Sequence, residues 1–274
     1  MIDMDRPTID EYLANMGAGG SRICEIDASE AGAGNISICL EDLPGVHKVF
    51  PLSERIDLPL PAPALAGRTL LVTGSGRRLR QIAADPVAAI GAVIVEDDGQ
   101  HAELLSSPRR QFAKLTSEFN SHLAVHNDQI SARDLPFHAT VHAQPPHLTF
   151  LSHIPAYQST KAMNDAILRW EPESIVALSQ GIGVLPFMVP GSDQLMAANV
   201  EGLRTHEIVL WGKHGTMSRS DLSVTRAVDR VEYAETGAMY EHMNLTAGGV
   251  AEGLSKAEIR SVAEAFGVTS PWLD

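Results

Sequence analysis

The sequence predicts a single α/β domain over residues 1–274, with a central sheet that is not of the Rossmann type. Three observations lead there. Segments with strand alternation and segments with helical spacing follow one another irregularly, without the regular alternation that builds a doubly wound parallel sheet. Gly74-Ser75-Gly76 follows a strand, but Leu79 holds the third glycine position, so the dinucleotide fingerprint is absent. With 44% hydrophobic and 20% charged residues in 274, the chain can bury a core without disulfides or a structural metal.

The elements follow in order. Thr8 to Ser21 reads as a helix capped by Thr8 and ended by Gly17-Ala18-Gly19-Gly20. Gly32-Ala33-Gly34-Asn35 is a turn, and Ile36–Leu40 alternates as a strand. Leu43 to Ala66 is proline-rich and reads as an irregular connection. Arg68–Thr73 is a strand running into Gly74-Ser75-Gly76, and Ala92–Glu96 is another. Ser117–Asn127 has helical spacing, Ala139–Ala143 reads as a strand, and Pro145-Pro146 opens a helix through Leu151. Ile175–Leu178 and Ile208–Trp211 read as strands around a helix at Gln194–Leu203. Asp221–Met243 is a long amphipathic helix, and Ser255 caps a last one through Phe266.

Charge narrows the function. The chain carries 21 basic and 34 acidic residues, a formal net charge of −13, and its basic cluster Arg77-Arg78/Arg80 has no interleaved aromatics. Such a field repels nucleic acid, which is not an expected partner. The two cysteines, Cys24 and Cys39, have no zinc spacing and read as small buried residues. Met1–Asp5 is acidic and unlike a signal peptide, and the longest apolar runs are too short to span a bilayer. The expected compartment is the cytoplasm, with no membrane partner.

Several motifs have both a chemical and an ordinary reading. Gly74-Ser75-Gly76 could present backbone N–H groups to a phosphate, though on its own it is an ordinary turn. His142 and Gln144 end a strand on the same face, where two side chains can share one metal. His214 repeats the logic after Val209-Leu210-Trp211; a lone histidine in such a place is more often structural. Thr116-Ser117-Glu118 opens a helix, and its plain reading is a cap followed by a first-turn acid. Trp170-Glu171 by itself reads as surface. The absence of Gly-x-Ser-x-Gly removes support for a serine hydrolase.

Taken together and in order, these pieces resemble the motifs of the class II aldolase/adducin family. They are Gly34-Asn35-Ile36-Ser37, Val72-Thr73-Gly74-Ser75-Gly76, Leu115-Thr116-Ser117-Glu118, Val141-His142-Ala143-Gln144-Pro145, Trp170-Glu171 and Lys213-His214-Gly215. Within the family, Gly181–Asp193 and Gly74–Arg80 look most like the branch acting on L-rhamnulose 1-phosphate. The resemblance implies a three-layer α/β/α fold with a mostly antiparallel sheet, and a homotetramer with active sites at subunit interfaces. It also implies reversible cleavage of L-rhamnulose 1-phosphate into dihydroxyacetone phosphate and L-lactaldehyde. A fuculose-phosphate type of substrate, an epimerase and a non-catalytic adducin-like scaffold remain as alternatives.

The resemblance further assigns residues. A divalent cation, Zn2+ first, would be held by His142, His214 and Gln144, and would stabilise the enediolate left by retro-aldol cleavage. Glu118 would carry the proton, and Glu171 would lie near the aldehyde end. Asn35, Ser75, Gly76, Thr116 and Ser117 would bind the phosphate. Gln144 stands where most of the family has histidine. An amide oxygen is a weaker, harder ligand than imidazole, so Co2+ and Mn2+ stay open, as do His147 and His153 as sources of a third nitrogen.

Overall fold

A computed structural model describes residues 7–273, and the acidic Met1–Asp5 segment lies outside the described residues. The strands are β1 (Asn35–Leu40), β2 (Leu52–Asp57), β3 (Thr69–Thr73), β4 (Ile90–Val95), β5 (His101–Ser106), β6 (Phe137–Ala143), β7 (Ile182–Leu185), β8 (Ile208–Trp211) and β9 (Gly215–Ser220). They form one sheet in the order β2-β5-β4-β3-β1-β6-β9-β8-β7. Every neighbouring pair is antiparallel except β7 with β8, so the mostly antiparallel α/β fold implied by the motifs is the one found.

Strand alternation makes the layers. On β1, Ile36, Ile38 and Leu40 enter the core shared with Leu13 and Met16 of helix Ile9–Glu25 and Val228 of helix Val224–Thr246. Asn35, Ser37 and Cys39 point the other way, toward helix Phe119–Arg133. β6 lies antiparallel beside it, with Asn35 opposite His142, Ser37 opposite Thr140 and Cys39 opposite His138. Its Ala139, Val141 and Ala143 join the Ile36 core, while His138, Thr140 and His142 are buried on the opposite face. Helix Asp193–Thr205 packs beside helix Phe119–Arg133 and over β7 to complete that layer.

Several elements depart from the sequence expectation, each for a local reason. The first helix runs through its glycines to Glu25, because they serve close packing rather than termination. A Cβ on Gly17 would lie 2.8 Å from the Ala83 Cα, and one on Gly20 would lie 2.8 Å from the Leu79 carbonyl oxygen. The expected strand Ile175–Leu178 is the short helix Ser174–Ala177, and the strand of that region is β7. A four-residue apolar run does not distinguish the two states. The Leu43–Ala66 connection contains β2, an edge strand whose residues are almost all exposed and so carry no apolar pattern. By contrast, the caps at Thr8 and Ser255 are both complete capping boxes, closed by Glu11 and Glu258.

Candidate active site

Three elements deliver the candidate site to the edge of the buried polar layer. β6 ends at Ala143 and so carries His142 to the rim. The β8–β9 turn presents His214, held by its N–H donating to the Trp211 carbonyl at 2.9 Å. The residue before it, Lys213, sits at φ 62°, the left-handed region that side chains other than glycine's disfavour. Its N–H donates to Ser152 Oγ at 2.7 Å, a bond that holds the strained turn. The third element is the start of helix Phe119–Arg133, where Glu118 is the cap residue.

The glycine turn is tied to that helix start. Gly74 bridges Leu115, the Ser75 N–H donates to the Lys114 carbonyl at 2.8 Å, and the Thr116 N–H donates to the Thr73 carbonyl at 3.0 Å. Ser75 and Thr116 therefore have only their hydroxyls to offer a ligand, since their backbone N–H groups are used. Gly76 at φ 72° adopts the turn without strain because it has no Cβ.

Glu118 is 5% exposed and faces both imidazoles. Its Oε2 lies 3.5 Å from His142 Nε2 and its Oε1 lies 3.6 Å from His214 Nε2. One ligand atom from each of the three residues lies within 4.8 Å of the others. His142 Nδ1 donates to the Thr216 carbonyl at 2.8 Å. That bond fixes the tautomer and leaves the Nε2 lone pair free, the form in which imidazole binds a metal. Trp211 stacks on the His142 ring at 4.6 Å and 19°, and its Nε1–H donates to Asn199 Oδ1 at 2.8 Å, which immobilises both rings.

His214 Nδ1 is buried and has no hydrogen-bond partner among the described residues. Burial, reinforced by the charge of His142 and opposed by Glu118, pushes the His214 imidazole toward its neutral form. Two imidazoles and a carboxylate converging on one cavity fit a divalent cation chemically.

Of the ten residues singled out from the sequence, nine line one cavity of about 240 Å³. They are Glu118, His142, Gln144 and His214 with Asn35, Ser75, Gly76, Thr116 and Ser117. Asn35 is spent differently from the expectation, because its Nδ2 donates to Glu118 Oε2 at 2.8 Å. Gln144 lines the cavity, but with its amide nitrogen turned toward Glu30 it donates to the Glu30 carboxylate, 3.1 Å from Oε2. Glu171 is the residue a single chain does not bring to the cavity. It is half-buried, and burial followed by the charges of Glu173 and Glu232 raises its pKa. His147 is likewise engaged elsewhere, with Nδ1 2.6 Å from Glu235, whereas His153 lines an adjoining cavity that shares Gln144 and His214.

Two residues had no site role assigned from the sequence. Arg77 lines the same cavity and its Nε has no hydrogen-bond partner among the described residues. Its signal was its place directly after the glycine turn. Glu30, one turn before Asn35, gave no signal of its own.

Comparison with known proteins places these features in context. Residues 18–242 match the family model described as Class II Aldolase and Adducin N-terminal domain. Rhamnulose-1-phosphate aldolase of Escherichia coli is 30% identical over 243 residues, 88% of either chain. A crystal structure of a sugar-phosphate aldolase from Thermotoga maritima superposes with a TM-score of 0.74 at 28% identity, covering 88% of this chain and 97% of that one. L-fuculose-1-phosphate aldolase from Thermus thermophilus shares the fold alone, with a TM-score of 0.52 at 17% identity over 89% of this chain and 98% of that one.

Proposed function

Because this chain belongs to the class II aldolase and adducin family, we propose that it is a metal-dependent carbon–carbon lyase that reversibly cleaves L-rhamnulose 1-phosphate to dihydroxyacetone phosphate and L-lactaldehyde. The observation that carries the reading is the convergence of Glu118, His142 and His214 on one cavity with the Ser75-Gly76 turn. A scaffold has no use for a buried carboxylate between two imidazoles with free lone pairs.

His142 and His214 would hold a divalent cation, with Glu118 or Gln144 completing the set. When bound, the cation supplies Lewis-acid polarisation of the substrate carbonyl. Glu118 moves the proton between the enediolate carbon and solvent, and Asn35 keeps one of its oxygens fixed while it does so. The Ser75, Thr116 and Ser117 hydroxyls and the Gly76 N–H bind the phosphate, and Arg77 supplies the positive charge there. That cradle allows a protein of net charge −13 to take an anionic substrate. Glu171 reaches the aldehyde end only from a second subunit, which fits the homotetramer implied by the motifs. The protein acts in the cytoplasm; among the described residues no helix is long and apolar enough to cross a membrane.

A second reading, another sugar phosphate on the same machinery, is favoured by the likeness to the Thermotoga sugar-phosphate aldolase. One assay separates the two. Protein stripped by chelator and given Zn2+, Co2+ or Mn2+ singly is offered L-rhamnulose 1-phosphate and L-fuculose 1-phosphate, and dihydroxyacetone phosphate is measured. Metal-restored release from rhamnulose phosphate supports the proposal, release only from the fuculose epimer selects the second reading, and none from either with folded protein sinks the proposal and the fuculose form of the second reading.

A further inference from the structure

Behind Glu118, away from the cavity, the hydrogen bonds continue into the dry interior. Asn35 Nδ2 donates to Glu118 Oε2, and Asn35 Oδ1 meets His122 Nε2 in a short contact. An amide oxygen only accepts, so His122 Nε2 carries hydrogen. His122 is 0% exposed, and burial, ahead of the charges of His126 and His142, keeps its ring neutral. A neutral imidazole has one N–H, so His122 Nδ1 is an acceptor.

Two buried hydroxyls face that acceptor, Thr140 Oγ1 at 2.6 Å and Ser37 Oγ at 2.7 Å. Ser37 Oγ also lies 2.7 Å from His126 Nε2, and His126 Nδ1 lies 2.7 Å from His138 Nδ1. Ser37 Oγ and Thr140 Oγ1 are themselves 2.8 Å apart. Two proton arrangements keep His122 Nδ1 an acceptor, each leaving at least one of the three contacts among Ser37, Thr140 and His122 without a proton. In one, His138 donates to His126, His126 to Ser37, and Ser37 to His122. In the other, His126 donates to His138, Ser37 to His126, and Thr140 to His122. In both, His122 keeps its N–H on Nε2, aimed at Asn35.

That N–H and the Glu118 carboxylate together fix the orientation of Asn35. The two ends of an amide have the same shape and opposite polarity, so packing alone does not choose between them. Flipped, Asn35 would set its oxygen against a carboxylate. We propose that His122 is a positioning residue of the reaction: its Nε2–H locks the Asn35 amide so that the NH2 end holds Glu118 in the direction needed for proton transfer. The proposal rests on the aldolase function proposed above.

The test is a pair of substitutions. His122→Gln puts a side-chain NH2 near the place of Nε2, whereas His122→Asn leaves one near the place of Nδ1, short of Asn35. For cleavage of L-rhamnulose 1-phosphate by the zinc-loaded enzyme, His122→Asn is expected to lower kcat about 10- to 100-fold, the loss of one hydrogen bond to a charged group, with KM within about twofold. His122→Gln should recover kcat to within about fivefold of the native value. Equal kcat losses in both folded variants overturn the proposal, as does a change in KM rather than kcat, which would make His122 part of the phosphate cradle. Should either variant fail to fold, 15N NMR of histidine-labelled native protein decides. A neutral Nε2–H tautomer at His122 supports the proposal, and an Nδ1–H tautomer overturns it. The NMR readout needs no turnover, so native protein that fails to cleave the sugar refutes the proposed function and leaves the positioning inference to the tautomer.

Discussion

The same face of β6 carries histidine to two opposite environments. At its rim, His142 joins His214 beside a cavity, and each ring has a nitrogen with no strong partner: His142 Nε2, and the buried Nδ1 of His214. About 13 Å back along the strand, His138 joins His122 and His126, all three 0% exposed and bonded to one another through Ser37 and Thr140. At the wet end the backbone takes the Nδ1 proton of His142 and leaves its Nε2 lone pair for a ligand. At the dry end the rings use nearly all their donors and acceptors on neighbours, and only His138 Nε2 is left without a partner among the described residues. Residue type is the same in both places; what differs is the list of partners, and that list separates chemistry from architecture.

Glu118 joins the two ends, touching both rim imidazoles and, through Asn35, the dry set. The sharpest way to break the comparison is to remove it. Glu118→Ala should keep the fold and still bind metal through His142 and His214, while kcat falls about 10²- to 10⁴-fold. Steady-state cleavage with metal analysis of the same sample measures both. Near-native turnover would remove Glu118 as the proton carrier and leave the wet end without an acid or base.

The rim was legible in the sequence because each of its residues follows a recognisable break: His142 before Pro145-Pro146, His214 before Gly215, Ser75 between two glycines. The dry set was not. On β6, His138, Thr140 and His142 alternate with apolar residues, the usual mark of a solvent face, yet helix Phe119–Arg133 covers that face. Its own His122 and His126 sit at i, i+4 among Asn120, Ser121 and Asn127, so the helix shows a weakly apolar stripe although its inner side is buried. Strand β9 escaped for a related reason, since Gly215–Ser220 buries Thr216, Ser218 and Ser220. Amphipathic pattern locates a core only where the core is apolar. Glu171 is a different failure: its motif was visible, but one chain does not bring it to the cavity.

Acid separates the two ends by stability. Burial lowers the folded pKa of His122, His126 and His138, that of His126 to about 3. Below an unfolded pKa of about 6.5, the unfolded chain therefore takes up protons that the folded protein refuses. The stability they leave intact at neutral pH is lost as pH falls from that value toward the folded ones, at about 1.4 kcal/mol per residue per pH unit, or about 4 kcal/mol for the three. Urea unfolding at pH 7, 6 and 5 should show this slope, and His138→Leu should reduce it by one proton. A midpoint that does not change over that range would mean that the trio is hydrated, and the contrast between wet and dry ends would disappear.

The smallest effect tests where the wet end stops. Gln144 lines the cavity, but its amide leans on Glu30, leaving Glu118, His142 and His214 as the closest ligand set. Gln144→His replaces a neutral amide with an imidazole at the same strand end. If residue 144 belongs to the metal shell, the new ring should tighten zinc binding about tenfold or more, measured by competition with a chromogenic chelator. Glu30 then becomes an asset, because a carboxylate accepting the ring's second N–H fixes its tautomer and raises its basicity. Adding Glu30→Gln to Gln144→His should therefore lose part of the gain. Unchanged zinc affinity in the single variant would place residue 144 outside the ligand set and leave Glu118 as the third donor.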